Sequence, residues 1–180
     1  MRKIISGMFI TLDGVIEAPQ KWNPPYHDDE MNQAVMPLLA GADLHLYGRR
    51  SYELCRAVFT GTSAPPHAAM MTSTPKAVVS ATLTSPDWGP TTVISTDIAA
   101  QLRKLKQEPG GYIAVAASGS LVRFLLQEGL VDELRLLVHP VVAGTGKRLF
   151  EAGTGQIPLK LLQSRQHGNG VISLCYAPAD

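Results

Sequence analysis

The chain has 180 residues, 45% of them hydrophobic and 17% charged, with a formal net charge of +1. That length suffices for a sizeable core, and the composition is that of a folded protein rather than a disordered one. Basic residues run no longer than pairs such as Arg49-Arg50 and Lys147-Arg148, so the electrostatic footprint of a nucleic-acid or membrane-surface binder is missing.

Ile4 to Ile10 is an apolar run without alternation, the pattern of a strand covered on both faces. Asp13-Gly14 marks a turn. Residues 17 to 27 hold Pro19, Pro24 and Pro25 together with Trp22 and Tyr26, a loop of the kind that covers or lines a site. Asp28 is placed to cap a helix through Met31, Val35, Leu38 and Leu39, with Asp29 and Glu30 where the helix dipole favours acids. Pro37 is expected to kink or shorten that helix, and Gly41 to end it. Leu44 to Tyr47 forms a second strand, Ser51 to Phe59 a helix, and residues 60 to 75, with Gly61, Pro65, Pro66 and Pro75, a loop. Ala77 to Val79 and Thr91 to Ser95 are the third and fourth strands. Asp97 is expected to cap a helix carrying Ile98, Leu102 and Leu105 at helical spacing, closed by Gly110-Gly111. Tyr112 to Ala116 is the fifth strand. Ser118-Gly119-Ser120 opens a helix with Leu121, Phe124 and Leu125, and Gly129 follows it. Leu134 to Val138 is the sixth strand. After Gly144-Thr145-Gly146, the segments Leu159 to Ser164 and Val171 to Tyr176 flank Gly168-Asn169-Gly170 as a terminal antiparallel hairpin.

Strands alternating with helices predict one α/β domain over residues 1–180, with a mostly parallel sheet, helices on both faces and the hairpin at an edge. No stretch reaches the roughly 18 apolar residues of a membrane span, and the apolar run near the N-terminus is too short for a secretory signal. The expectation is a soluble, cytoplasmic protein. Cys55 and Cys175 lie outside any C-x-x-C pair, which leaves buried free thiols and no zinc or redox motif. His27, His45, His67, His139 and His167 show no metal-ligand spacing, so no metal site is expected. His45, inside an apolar strand, reads as a core histidine.

In open α/β sheets ligands bind beyond the C-terminal ends of the strands. Three strand-to-helix junctions offer small or polar residues there: Gly48-Arg49-Arg50-Ser51, Ser80-Ala81-Thr82 and Ala116-Ala117-Ser118-Gly119-Ser120. Each can present backbone N–H groups to a phosphate, and the first adds a guanidinium that forks onto phosphate oxygens. None is a Walker P-loop, and no G-x-G-x-x-G follows the first strand. Their convergence on one sheet edge, rather than any single junction, favours a phosphate-binding site over a turn with a solvated arginine. Lys147-Arg148 is either a site for a substrate phosphate or a solvated basic pair. Asp13 and Asp132-Glu133 read as turn residues.

Ser6 to Glu17, Trp22, Gly48-Arg49-Arg50-Ser51-Tyr52-Glu53 and Ser118-Gly119-Ser120-Leu121-Val122 resemble dihydrofolate reductase and its relatives. Gly129 to Leu134, Pro140-Val141-Val142 and Gly144-Thr145-Gly146 narrow the resemblance to the reductase domain of the bifunctional deaminase-reductase of riboflavin synthesis. The resemblance spans nearly the whole chain in order. It implies the three-layer dihydrofolate-reductase-like fold, NADPH as cofactor, and a homodimer to which the C-terminal strands contribute. Residue by residue, it implies Arg49 at the 2′-phosphate beside the strand-end Gly48, Arg50 as added charge, and Ser51 at the pyrophosphate. Ser80 falls at the adenosine 2′-phosphate region. Ala117, Ser118, Gly119, Ser120 and Leu121 form the turn that cradles the pyrophosphate, although Ala117 stands where that turn normally has glycine. Phe9 and Ile16 flank the nicotinamide carboxamide through their backbone.

The implied activity is hydride transfer to an imine-like carbon of a ribosylated aminopyrimidine such as 5-amino-6-(5-phosphoribosylamino)uracil. These 180 residues hold no H-x-E with a downstream C-x-x-C, so zinc deamination is not expected of them. A dihydrofolate or pterin reductase is the alternative, and it needs one of Asp28, Asp29 or Glu30 facing the cleft. A nucleotide-binding module without catalysis is the alternative from another class. The candidates at the reacting end are Asp29, favoured among the three acids by its distance from the cap, and Trp22, which with Tyr26 can wall a substrate ring.

Overall fold

Apolar stretches too short for helices become the centre of a sheet because helices cover both of their faces. The computed structural model describes residues 1–179. The strands are β1 (Ile4–Thr11), β2 (Ala42–Gly48), β3 (Lys76–Val79), β4 (Thr91–Ile94), β5 (Tyr112–Ala116), β6 (Glu133–His139), β7 (Leu159–Gln166) and β8 (Ile172–Pro178). They form one sheet in the order β4-β3-β2-β5-β1-β6-β8-β7. The first six pair in parallel, and β8 and β7 are antiparallel additions at the β6 edge.

The helices are α1 (Asp29–Ala40), α2 (Arg49–Thr60), α3 (Ala68–Ser73), α4 (Ile98–Gln107) and α5 (Gly119–Gln127). Ile4, Met8, Leu46, Ile113, Val115 and Leu134 pack against Leu102 of α4 and Val122 and Leu125 of α5. On the other face, Ile5 and Ala114 meet Leu38 of α1, while Tyr47 and Val78 meet Tyr52, Met71 and Trp88. The result is three layers. Gly7 allows α1 to lie close to β1, since a Cβ there would overlap the Leu38 side chain.

Four local expectations are corrected. Helix α1 is not shortened by Pro37 but runs on to Ala40. The Tyr112 hydroxyl lies 2.8 Å from the carbonyl oxygens of both Pro37 and Leu38, and so supports the last turn from outside the helix. The segment 60–75 is not all loop: it contains α3, whose Met71 is buried beneath Trp88. Asp97 stands at the N-cap position of α4, but at φ 44° its side chain makes no capping hydrogen bond. The helix starts instead on the backbone, with Gln101 N–H donating to the Asp97 carbonyl. Helix α2 begins at Arg49, two residues before its expected start, which puts both arginines in its first turn.

At the opposite sheet end Asp132 is structural, accepting from Ile4 N–H at 2.7 Å and from Lys106 Nζ at 2.6 Å.

Candidate functional site

Two of the three junctions are hydrogen-bonded to each other. Gly48 N–H donates to Ser118 Oγ at 2.9 Å, and Ser51 Oγ donates to the Ala117 carbonyl at 2.5 Å. Ser51 and Ser118 are buried, so in this structure both hydroxyls join β2–α2 to β5–α5. The joint places the N-termini of α2 and α5 side by side. Neither has a side-chain cap, so their first N–H groups remain available to an anion. Ser120 and Ala117 are exposed, whereas the Leu121 side chain lies in the core, which leaves only its backbone to face a ligand.

Arg49 is half exposed and lies along the same edge. Its Nε donates to Glu53 Oε1 at 2.8 Å and its Nη1 to Thr82 Oγ1 at 2.5 Å, so the guanidinium leans towards the junction after β3. There the buried Ser80 Oγ accepts from the N–H groups of Thr82 and Leu83. Thr82 belongs to the Ser80-Ala81-Thr82 junction read from the sequence, but its bond to Arg49, 33 residues away, is tertiary. Arg50 is exposed.

The segment after β1 closes over the third junction. Ile16 N–H donates to the Lys147 carbonyl at 2.9 Å, and a Cβ at Gly119 would overlap the Ile16 side chain. Glycine at 119 lets the Ile16 side chain lie directly on the turn. Asp13 accepts from Thr11 Oγ1 at 2.6 Å and from the N–H groups of Ala143 and Gly144 at 3.0 and 2.9 Å. The Thr11 hydrogen bond leads in holding its pKa down to about 2. Arg148 Nε donates to the Asp13 carbonyl at 2.8 Å, so Arg148 ties loops together, while Lys147 is exposed.

The three acids near α1 have separated roles. Asp28 caps the helix, accepting from Met31 N–H at 2.8 Å, and also accepts from Asn169 Nδ2 at 3.0 Å. Glu30 accepts from Gly168 N–H at 2.9 Å and from Arg165 at 2.8 Å, and the first of these leads in lowering its pKa. Asp29 is exposed and makes no side-chain hydrogen bond among the described residues. Trp22 is half buried, donates from Nε1 to the Glu17 carbonyl at 3.1 Å, and packs edge-on against His139. Phe9 and Tyr26 meet the same imidazole. Sequence reasoning missed His139, because it lies 116 residues from Asn23, its hydrogen-bond partner. Among the described residues no three His, Cys, Asp or Glu side chains are grouped to hold a metal ion.

The fold has counterparts among known proteins. The chain is 32% identical to the uncharacterized protein YyaP of Bacillus subtilis (strain 168) over 179 residues, covering 97% of this chain and 94% of YyaP. A putative riboflavin biosynthesis protein from Shewanella sp. PV-4 superposes with a TM-score of 0.72 at 21% identity, covering 99% of both chains. A Thermotoga maritima protein, a diaminohydroxyphosphoribosylaminopyrimidine deaminase/5-amino-6-(5-phosphoribosylamino)uracil reductase, gives 0.70 at 12% identity, covering 99% of this chain and 57% of that one. Dihydrofolate reductase from Enterococcus faecalis, complexed with NADP(H), gives 0.64 at 12% identity, covering 99% and 97%. At such identities the structural likenesses show the fold, which is the dihydrofolate-reductase-like one. The RibD C-terminal domain matches residues 2–173, from the start of the sheet to Ser173 of β8. With that match, and with a relative alike along almost its full length, this chain belongs to the RibD C-terminal domain family.

Proposed function

We propose that the chain is an NADPH-dependent reductase of a ribosylated aminopyrimidine, working as a cytoplasmic homodimer. One observation carries the cofactor end: the hydrogen-bonded junctions leave two uncapped helix N-termini side by side, with the Arg49 guanidinium on the same edge. Those residues fit a group that bears several phosphates. The backbone N–H groups of Gly119, Ser120 and Leu121 would take the pyrophosphate, and Arg49, with Arg50, Ser80 and Thr82, the 2′-phosphate. Ile16 and Phe9 would flank the nicotinamide carboxamide through their backbone. The bound nicotinamide supplies the hydride, and the protein's task is to orient the acceptor and exclude water. Trp22 and Tyr26 would wall the heterocycle.

The aminopyrimidine reading is favoured over a pterin one because two of the three nearby acids are engaged elsewhere. Asp28 holds α1 and Asn169, Glu30 holds the terminal hairpin, and only Asp29 is left to grip a pterin. The reductase activity named for the Thermotoga protein supports the choice of substrate class. The uncovered Leu161 and Leu162 on the edge strand β7 support assembly through the terminal hairpin. The two free thiols are in keeping with a reducing compartment.

The cofactor assignment is tested by titrating NADPH and NADH, read by tryptophan quenching, with wild type and Arg49→Ala. A charge-assisted hydrogen bond contributes about 1.5–3 kcal/mol, so NADPH should bind the wild type roughly ten- to a hundredfold more tightly than NADH. Arg49→Ala should lose most of that preference and leave NADH affinity nearly unchanged. Equal wild-type affinities, or no binding, would sink the cofactor assignment. Turnover of 5-amino-6-(5-phosphoribosylamino)uracil, followed by NADPH oxidation, tests the substrate.

A further inference from the structure

His139 ends β6 opposite Thr11 of β1, at the sheet end that carries the candidate site. Its side chain is completely buried. A buried imidazole needs partners for both ring nitrogens. Nδ1 lies 2.9 Å from the Leu137 carbonyl oxygen, and Nε2 lies 2.9 Å from Asn23 Oδ1. Three aromatic rings surround it at steep angles: Trp22 with centroids 5.0 Å apart, and Phe9 and Tyr26 each at 5.5 Å. Burial holds its pKa below the ordinary histidine value, so at neutral pH it carries one ring proton. The Leu137 carbonyl can only accept, which places that proton on Nδ1. Nε2 is then an acceptor, and Asn23 must turn its NH2 towards it; the oxygen and nitrogen of an asparagine amide are assigned from such networks.

The stretch from Pro19 to Tyr26 has few other hydrogen bonds to the rest of the fold. Asn169 Nδ2 donates to the Tyr26 carbonyl at 2.7 Å, at the far end of the stretch, and Tyr26 Oη reaches the Pro140 carbonyl at a long 3.4 Å. Trp22 Nε1 bonds only locally, to Glu17. Asn23 to His139 is thus the hydrogen bond that ties the middle of the stretch to the sheet, one residue from Trp22.

We infer that His139 is a positioning residue for the substrate end of the site: through Asn23 and its ring contacts it fixes Trp22, and so the wall against which a planar heterocycle would lie. This rests on the reductase reading above. His139 acts without touching substrate, and removing its hydrogen bond frees Trp22 while the phosphate-binding edge stays intact.

His139→Phe keeps an aromatic ring and removes the hydrogen bond, His139→Gln keeps an amide near the position of Nε2, and Asn23→Ala removes the half-buried partner while leaving the imidazole in place. Acrylamide quenching of tryptophan fluorescence reads the position directly. Trp88 is buried, so the accessible signal belongs to Trp22. His139→Phe and Asn23→Ala should each raise the quenching constant with no ligand present, and His139→Gln should restore it towards wild type. With 5-amino-6-(5-phosphoribosylamino)uracil as substrate, the first two should raise KM about tenfold, the equivalent of one hydrogen bond, with kcat and NADPH affinity little changed. Should His139→Phe fail to fold, Asn23→Ala decides alone. Unchanged quenching in Asn23→Ala overturns the inference, and so does increased quenching with an unchanged KM. If wild type turns over no aminopyrimidine, the reductase reading fails, while quenching still decides whether His139 places Trp22.

Discussion

Ala117 occupies the left-handed region, at φ 56°, between β5 and α5. The Cβ of an L-residue crowds its own carbonyl there, at a cost of about 1–2 kcal/mol, and glycine is the usual occupant. The strain persists because the site around it is over-determined: the Ala117 carbonyl receives the Ser51 hydroxyl, and the next residue, Ser118, accepts from Gly48. Ala117→Gly relieves the crowding but also gives the unfolded chain more freedom to lose on folding. The net expectation is a gain of about 0.5–1 kcal/mol, or a Tm about 2 °C higher in a calorimetric scan. A Tm that stays level or falls would mean that the turn bears no strain.

At the scale of elements, α1 shows how a helix survives an internal proline. Pro37 has no N–H to give the preceding turn, and the carbonyls at the helix end need outside partners. The Tyr112 hydroxyl, on the central strand β5, supplies one for Pro37 and Leu38 together. Burial raises its pKa, so it remains a donor through the neutral range. Tyr112→Phe keeps the ring and removes that proton. It should destabilise by about 1 kcal/mol, seen as a lower urea midpoint at unchanged slope. This support of the last turn is hidden from any local pattern, since Tyr112 lies 75 residues from Pro37. The same limit appears elsewhere. The apolar runs at Ile4, Leu44, Ala77 and Tyr112 announce their strands, because pattern is local. That β1 lies between β5 and β6 is not local, and it alone brings Ile16 onto Gly119 and Phe9 onto His139. The junction residues Gly48 to Ser51 and Ala117 to Leu121 are legible from composition and resemblance. The bonds of Ser51 and Ser118 to the opposite junction are tertiary, and so are the diversion of Glu30 to the hairpin and the whole surroundings of His139.

For the molecule as a whole, three carboxylates fasten segments distant in sequence, and all three have lowered pKa values. Asp13 holds the Ala143–Gly144 loop, with the Thr11 hydroxyl leading in bringing it down to about 2. Glu30 holds the terminal hairpin, chiefly through Gly168 N–H. Burial pushes Glu133 up, but Arg135 and Lys3 more than offset it. A carboxylate whose folded pKa lies below its unfolded value leaves the unfolded chain holding more protons in the interval between them. Its stabilisation is therefore complete above the unfolded value, about 4, and is lost as pH falls through the folded value. Urea midpoints measured from pH 7 downwards should stay level with respect to these groups until about pH 4 and then fall steeply towards pH 2. Asp13→Asn separates one contribution from the rest. Its midpoint at pH 7 should lie below wild type, because the Ala143 and Gly144 N–H groups lose a charged acceptor. Its acid limb should also be shallower, since one proton fewer is taken up on unfolding in that window. An acid limb parallel to wild type would show that the loop is held by Arg148 and the surrounding backbone bonds rather than by the Asp13 carboxylate.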